Sequence, residues 1–383
     1  MSIFTRSGPL LLTCCALLTS TSGAAQQAID CDTVLEGPCA IDSAALSMND
    51  MQSVGSHNSY KLAIPAIEMA LIKAYNKDSA VSLDYSHLRV TTQLDMGLRQ
   101  IELDIVYDPD GGRFANPLLP KATAKTYGAM PYDARDMHTP GFKVLHSQDI
   151  DVHSNCATWL ICLEEIKVWS DTNPDHVPIL IMFNAKEGGS AYPGVTPALD
   201  FTREAYRALD GETLSVFPAD RIIKPDDVRE EFDTLREAVL AGNWPALDNA
   251  RGKVLFALDE RPEKVRTYMD GRSSLQGLPF FVNSISQQED HAAYFTMNNP
   301  LGDQERIRDA VNAGFIVRTR ADANTREARV NDTSRREAAF ASGAQYVSTD
   351  YYVPRVEFSD YTVSLPGGAA ARCNPVRLDS RCR

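Results

Sequence analysis

Short apolar runs, many of them β-branched, recur along this chain with helical patterns between them. That alternation restricts the fold more than any other feature of the sequence. Candidate strands are 51–55, 100–106, 142–146, 178–183, 253–258, 279–283, 314–319 and 345–348. Several are continuous, such as VPILIMF and KVLFAL. Strands buried on both faces read this way, as in parallel sheets. Helical patterns at 160–170, 200–208, 225–241, 303–312 and 332–342 lie between many of them. About eight strands alternating with helices predict a (β/α)8 TIM-like barrel of the α/β class, built as a single domain over 51–352. A doubly wound sheet is the alternative. Residues 107–141 hold Gly111, Gly112, Pro109, Pro117, Pro120, Pro131 and Pro140. They read as a long irregular insertion after the second strand, and such insertions usually carry function. Residues 353–383 read as a C-terminal tail.

The N-terminus reads as an address. Within 1–25 one charge, Arg6, precedes an apolar run from Pro9 to Leu18, and small residues lead to Ala24 and Ala25. This is the pattern of a cleaved signal peptide, with 26–50 as an N-terminal segment of the mature chain. The run is too short to span a bilayer, which needs ~20 apolar residues. The expected location is therefore secreted or periplasmic. The cysteines agree. Beyond Cys14 and Cys15, they fall into three close pairs: Cys31/Cys39, Cys156/Cys162 and Cys373/Cys382. The connectivity is open, and local pairing is the simplest solution in an oxidising compartment. A helix would hold Cys156 and Cys162 about 9 Å apart, beyond the ~4.4–6.8 Å a disulfide tolerates. One of the two must therefore precede the helix.

With 38 basic and 51 acidic residues, the formal net charge is −13. That argues against nucleic acid and against simple electrostatic adhesion to anionic lipid, and it favours cations.

In a parallel barrel, chemistry sits where the strands end. Here every such end is polar. Glu102 and Asp104 are the clearest pair, because period two places both on one face of a strand. Ile101, Leu103 and Ile105 then face the covering helices. Two carboxylates inside a barrel repel unless a cation lies between them, and oxygen ligands suit Ca²⁺ or Mg²⁺. Asn58 adds an amide oxygen. His57 and His146 end different strands, and an imidazole pair can take a proton from a nucleophile and return one to a leaving oxygen. Lys186 and Arg318 can hold phosphate oxygens, although a solvated barrel rim explains them about equally well. His87, His138, His153, His176 and His291 lack this context and read as surface or loop residues.

The segment GSHNSY, the pattern Gln93, Gly97, Arg99, Glu102, Asp104, and the segment KVLHS resemble the X region of phosphoinositide-specific phospholipases C. The resemblance is closer to the secreted bacterial and fungal Ca²⁺-dependent members. Arg318-x-Arg320-x-Asp322 and the stretch from Ser342 to Asp350 extend it, so that it covers Gln52 to Tyr352. It implies a barrel with one Ca²⁺ at its mouth, and cleavage of the glycerol–phosphate bond of phosphatidylinositol. His57 and His146 match the catalytic histidines, and Asn58, Glu102 and Asp104 match calcium ligands. One departure stands out. A further acidic ligand, two residues before a lysine, falls on Asn184, with the lysine at Lys186. An amide brings no charge, and fewer negative ligands weaken calcium binding. Glu187 is a possible substitute.

The resulting expectation is a phosphodiesterase in which the inositol 2-hydroxyl attacks its neighbouring phosphorus. His57 takes the proton and His146 protonates the leaving oxygen, with a carboxylate as the alternative base. The substrate is a phospholipid or a soluble phosphodiester, with transient contact to a membrane surface. A glycerophosphodiester phosphodiesterase-like hydrolase and a non-catalytic lipid- or sugar-binding barrel are the rival readings.

Overall fold

The apolar runs form strands, though not all in the expected places. A computed structural model describes residues 33–37, 40–129, 132–189 and 192–377. Its strands are β1 (Met51–Ser56), β2 (Gln100–Asp108), β3 (Gly141–Val144), β4 (Ile179–Ala185), β5 (Val254–Leu258), β6 (Phe280–Val282), β7 (Tyr294–Thr296), β8 (Ile316–Arg320), β9 (Tyr346–Thr349) and β10 (Ala371–Cys373). The sheet runs β6-β5-β4-β2-β1-β9-β8-β7 with parallel neighbours. A parallel bridge from Asn283 to Tyr294 brings β7 back beside β6. The result is a nearly closed, eight-stranded parallel TIM-like barrel, not a doubly wound sheet.

Two strand assignments change. The run at 142–146 is β3, which pairs antiparallel with β2 and so forms a hairpin outside the barrel. The missing barrel strand is β7, the short YFT segment beside β8. The C-terminal residues contribute β10, which pairs antiparallel with the first residues of β1.

The insertion is more ordered than its prolines led one to expect. β2 runs on to Asp108, and the chain then forms a helix at Leu118–Tyr127 and a short 3₁₀ turn at Arg135–His138 before β3 returns. Pro117 and Pro120 fit because they occupy the N-cap and the first turn, where no intrahelical N–H bond is lost. Three helices between β1 and β2, at Ala66–Tyr75, Lys77–Ser82 and Val90–Asp95, had no clear sequence signal.

The helix Trp159–Thr172 starts where the Thr158 hydroxyl accepts from Ile161 N. Its Trp159 ring meets Phe183 of β4 edge-on at 5.3 Å, covering the barrel exterior. Cys156 lies before this helix and Cys162 within it. They form a disulfide with Cα atoms 5.1 Å apart, as the spacing required. Cys31, Cys39, Cys382 and the proposed signal at 1–25 lie outside the described residues. Among the described residues, no helix is long and apolar enough to cross a membrane.

Candidate active site

The alternation in β2 sorts its side chains as expected. Ile101, Leu103 and Ile105 are fully buried in the main apolar core, while Glu102 and Asp104 line a cleft at the barrel mouth. The loop after β1 is laced to β2 by two bonds: Ser59 N donates to Glu102 O at 2.9 Å, and Glu102 N donates to Ser59 Oγ at 2.8 Å. Gln93 holds the same loop from below, donating to Ser59 O and Leu88 O at 2.7 Å each. Arg99 pairs with Glu36 and donates to Leu94 O and Leu98 O. Gln93 and Arg99 therefore build the scaffold, and Glu102 and Asp104 face the cleft.

The cleft encloses about 240 Å³. It brings together all eight expected site residues, His57, Asn58, Glu102, Asp104, His146, Asn184, Lys186 and Arg318, and adds Asp259, Asn298 and Arg320. His57 follows β1, and its Nδ1 lies 2.9 Å from Asp350 Oδ1. Asp350 is held in turn by Arg320 at 3.1 Å, and its own N–H donates to Asp322 Oδ1 at 2.9 Å. The other imidazole nitrogen, Nε2, stands 3.8 Å from Glu102 Oε1. Burial, then the positive charges of Arg320 and Arg318, hold the His57 pKa well below its ordinary value, so the ring is neutral at neutral pH.

His146 follows β3 on the hairpin, and its Nδ1 lies 3.0 Å from Asp151 Oδ2. Burial works against the Asp151 charge. Lys61 Nζ at 3.4 Å and His146 outweigh it and hold the carboxyl below the usual range.

Asp350, Asp151, Arg320 and Asp259 were not assigned roles from the sequence. Asp350 and Asp259 end strands and Arg320 sits in the R-x-R-x-D pattern, so a signal existed for three of them. Asp151 lies in an irregular loop and had none.

The carboxylates are neutralised differently from expectation. Glu102 bonds Arg318, and Asp104 lies 3.0 Å from Lys186 Nζ. Arg318 is 1% exposed and also donates to Ser348 Oγ at 3.0 Å, which rules out a solvated rim for it. Burial, eased by Arg318 and reinforced by Asp104, pushes the Glu102 carboxyl up to about 7. Burial opposes the charge of Lys186, but Asp104 outweighs it and raises the ammonium pKa.

Glu187 does not line the cleft. Its carboxylate accepts from Phe201 N at 2.7 Å and lies 3.4 Å from Lys264, outside the cleft. His87 and His176 are also not surface residues, being 6% and 2% exposed. His87 Nε2 lies 2.7 Å from His57 O, and His176 bridges Ser170 and Val177.

Among the described residues, no three His, Cys, Asp or Glu side chains are gathered into a finished metal cage. Lys186 and Arg318 draw Asp104 and Glu102 to themselves. The donor set still fits a hard cation. Asn58, Glu102, Asp104 and Asn184 offer only oxygens as anionic or amide-carbonyl donors, and Asp104 Oδ1 is buried without a hydrogen-bond partner. Asn58 spends its Nδ2 on Tyr85 Oη at 2.7 Å, and Asn184 spends its Nδ2 on Asp259 O.

No curated protein matches the chain. Two apo crystal forms of a calcium-dependent phosphoinositol-specific phospholipase C from a Gram-negative Pseudomonas species share the fold. The myo-inositol complex has a TM-score of 0.53 at 18% identity, and crystal form 1 has 0.55 at 18%. Each comparison covers 88% of this chain and 99% of the other. The family model for phosphoinositide phospholipase C, Ca²⁺-dependent, matches residues 46–375. That match takes in the whole barrel and every residue of the cleft, and the chain belongs to the Ca²⁺-dependent phosphoinositide phospholipase C family, a family of phosphodiesterases.

Proposed function

We propose that the chain cleaves the glycerol–phosphate bond of phosphatidylinositol by intramolecular attack of the inositol 2-hydroxyl. The observation that carries this reading is the pair of imidazole–carboxylate dyads at one cleft, His57–Asp350 and His146–Asp151. In each, the acid takes Nδ1 and leaves Nε2 for substrate. Neutral His57 accepts the 2-hydroxyl proton as the O2–P bond forms. Asp350 stabilises the imidazolium that results. Protonated His146, steadied by Asp151, gives its proton to the glycerol oxygen as the P–O bond breaks. The products are a cyclic inositol phosphate and diacylglycerol.

Buried Arg318 Nε and Arg320 Nε have no hydrogen-bond partner, which leaves two N–H groups for the phosphoryl oxygens, beside Lys186. Calcium held by Asn58, Glu102, Asp104 and Asn184 would add Lewis-acid stabilisation and acidify the attacking hydroxyl. A groove of about 820 Å³ is lined in part by Asp350, the partner of His57. Its wall includes Ile64, Leu83, Leu88, Tyr352, Val353 and Val356. Leu88, Val353 and Val356 are exposed, which favours a phospholipid over a soluble diester. The Cys156–Cys162 disulfide supports an exported chain.

Phosphorus NMR of the products tests the reading. A cyclic inositol phosphate is expected. Free glycerol phosphate would replace this reading with the glycerophosphodiester hydrolase, and no turnover with intact calcium binding would favour the non-catalytic barrel.

A further inference from the structure

Four carboxylates at or behind the cleft have a cation of their own. Glu102 has Arg318, Asp104 has Lys186, Asp350 has Arg320 and Asp151 has Lys61. Among the described residues, Asp322, behind the cleft, has none but is bonded by the Thr349 hydroxyl and the Asp350 N–H. Asp259 also has none among the described residues, and it faces the cleft. Its carboxylate meets only the neutral side chains of Thr296 and Asn184 at hydrogen-bonding range. Burial raises its pKa, the charge of Arg318, already paired with Glu102, offsets part of that, and Asp104 adds to it. Glu102 in turn feels the negative charge of Asp259. A recessed carboxylate without a counter-ion is unfavourable unless a cation reaches it.

The sheet register shows why it stands there. Asp104 is level with Asn184 across β2 and β4, and Phe183 is level with Leu258 across β4 and β5. The next residues, Asn184 and Asp259, are therefore level too. Asp104, Asn184 and Asp259 form one row over three adjacent strands, with Asn184 in the middle. In that row, Asp104 Oδ1 is buried and unpartnered. The row thus has an acid on each side of a neutral amide, and one of those acids has an oxygen with nothing bound to it.

We propose that Asp259, at the end of β5, is the third carboxylate of the cation site and supplies the negative charge that β4 lacks at Asn184. This rests on the reading of the cleft as a calcium site. It adds a ligand from a strand to which the sequence assigned no role. Three carboxylates against Lys186 and Arg318 leave one negative charge uncompensated, since Arg320 is matched by Asp350. The surplus charge draws a cation, and the all-oxygen donor set suits a hard one such as Ca²⁺.

Calorimetric Ca²⁺ titration, together with thermal melts in chelator, tests the proposal on the full chain. Asp259→Asn should weaken Ca²⁺ binding at least tenfold without lowering the calcium-free melting temperature, because it breaks no ion pair and removes a buried charge whose desolvation is its largest energetic cost. Glu187→Gln should leave binding unchanged. Asp259→Asn combined with Asn184→Asp moves the charge one strand along the row and should restore affinity. The double variant also serves as the test if Asp259→Asn alone does not fold. Wild-type affinity in Asp259→Asn, or a folded double variant that binds no better than Asp259→Asn, would overturn the proposal. A wild-type protein that binds no Ca²⁺ would instead overturn the reading of the cleft on which it rests.

Discussion

The two catalytic candidates stand on different kinds of structure. His57 ends a barrel strand, and its partner Asp350 is 293 positions away at the end of β9. Around it, Arg320 of β8 holds Asp350, and His87 bonds the His57 carbonyl. Closure of the barrel is what puts these groups together. His146 ends β3, a hairpin strand outside the barrel, and its partner Asp151 is only five positions on. Its side chain is 25% exposed against 18% for His57. One dyad is a product of long-range strand order, and the other of a single local loop. The barrel-built dyad should therefore respond to changes made far away in sequence. The hairpin dyad should respond only to its own loop and to the elements that anchor it.

The largest effect expected is loss of turnover in His57→Ala and in His146→Ala. General acid–base groups contribute about 10²–10⁴-fold, and both variants should keep the wild-type melting temperature within a few degrees. Steady-state kinetics of the two variants decide; a near-wild-type rate in either would remove that residue from the chemistry.

The acids come next, and they separate the two regions. Asp350→Asn should cost more than Asp151→Asn in kcat, because it also strips Arg320 of its counter-ion at the barrel mouth. Asp151→Asn leaves a similar gap for Lys61, but on the hairpin side and away from Arg318 and Arg320. KM should change less than kcat in both. Equal losses would show that the two dyads are equally anchored, and the contrast drawn above would fail.

A smaller effect is expected for the disulfide. Replacing Cys156 and Cys162 by serine should cost roughly 2 kcal/mol, the loop-closure value for so short a ring. The link joins the hairpin's exit to the helix that covers β4. Equilibrium unfolding should show the loss, and hydrogen exchange should rise around Asp151 before it rises in β1. Uniform loss of protection would mean that the hairpin is not an independent region.

The smallest effect is on the acid limb of stability. Asp151 titrates below its ordinary range, so its contribution is intact above the unfolded carboxylate value of about 3.9 and disappears as pH falls through the lower folded value. Lys61→Met removes the largest opposing charge and lets burial push the carboxyl up. Melts between acid and neutral pH should show the variant destabilising at a higher pH than wild type. An unchanged acid limb would mean that His146 alone holds the Asp151 charge.

Much of this was legible in the sequence. The apolar runs marked seven of the eight barrel strands, and period two in β2 sorted Glu102 and Asp104 from Ile101, Leu103 and Ile105. The eighth strand was not legible, because Tyr294–Thr296 is three residues long and carries no pattern of its own. β3 was legible as a strand but not as an antiparallel one. An apolar run records burial, and burial does not say which neighbour a strand takes or in which direction.

The sequence by itself determined what each position can contribute: alternating faces in β2, polar ends on the strands, two histidines, and an amide at Asn184 where a charge was expected. Only the tertiary structure decided who meets whom. Arg318 neutralises Glu102 across 216 positions, and Arg320 steadies the partner of His57. Asp259 is brought level with Asn184 by the β4–β5 register. The physical reason is that residue type sets charge, donor count and preferred face, all of which are local. An electrostatic pairing depends on distance and desolvation, and in a barrel both are set by strand order and register, which no short segment specifies.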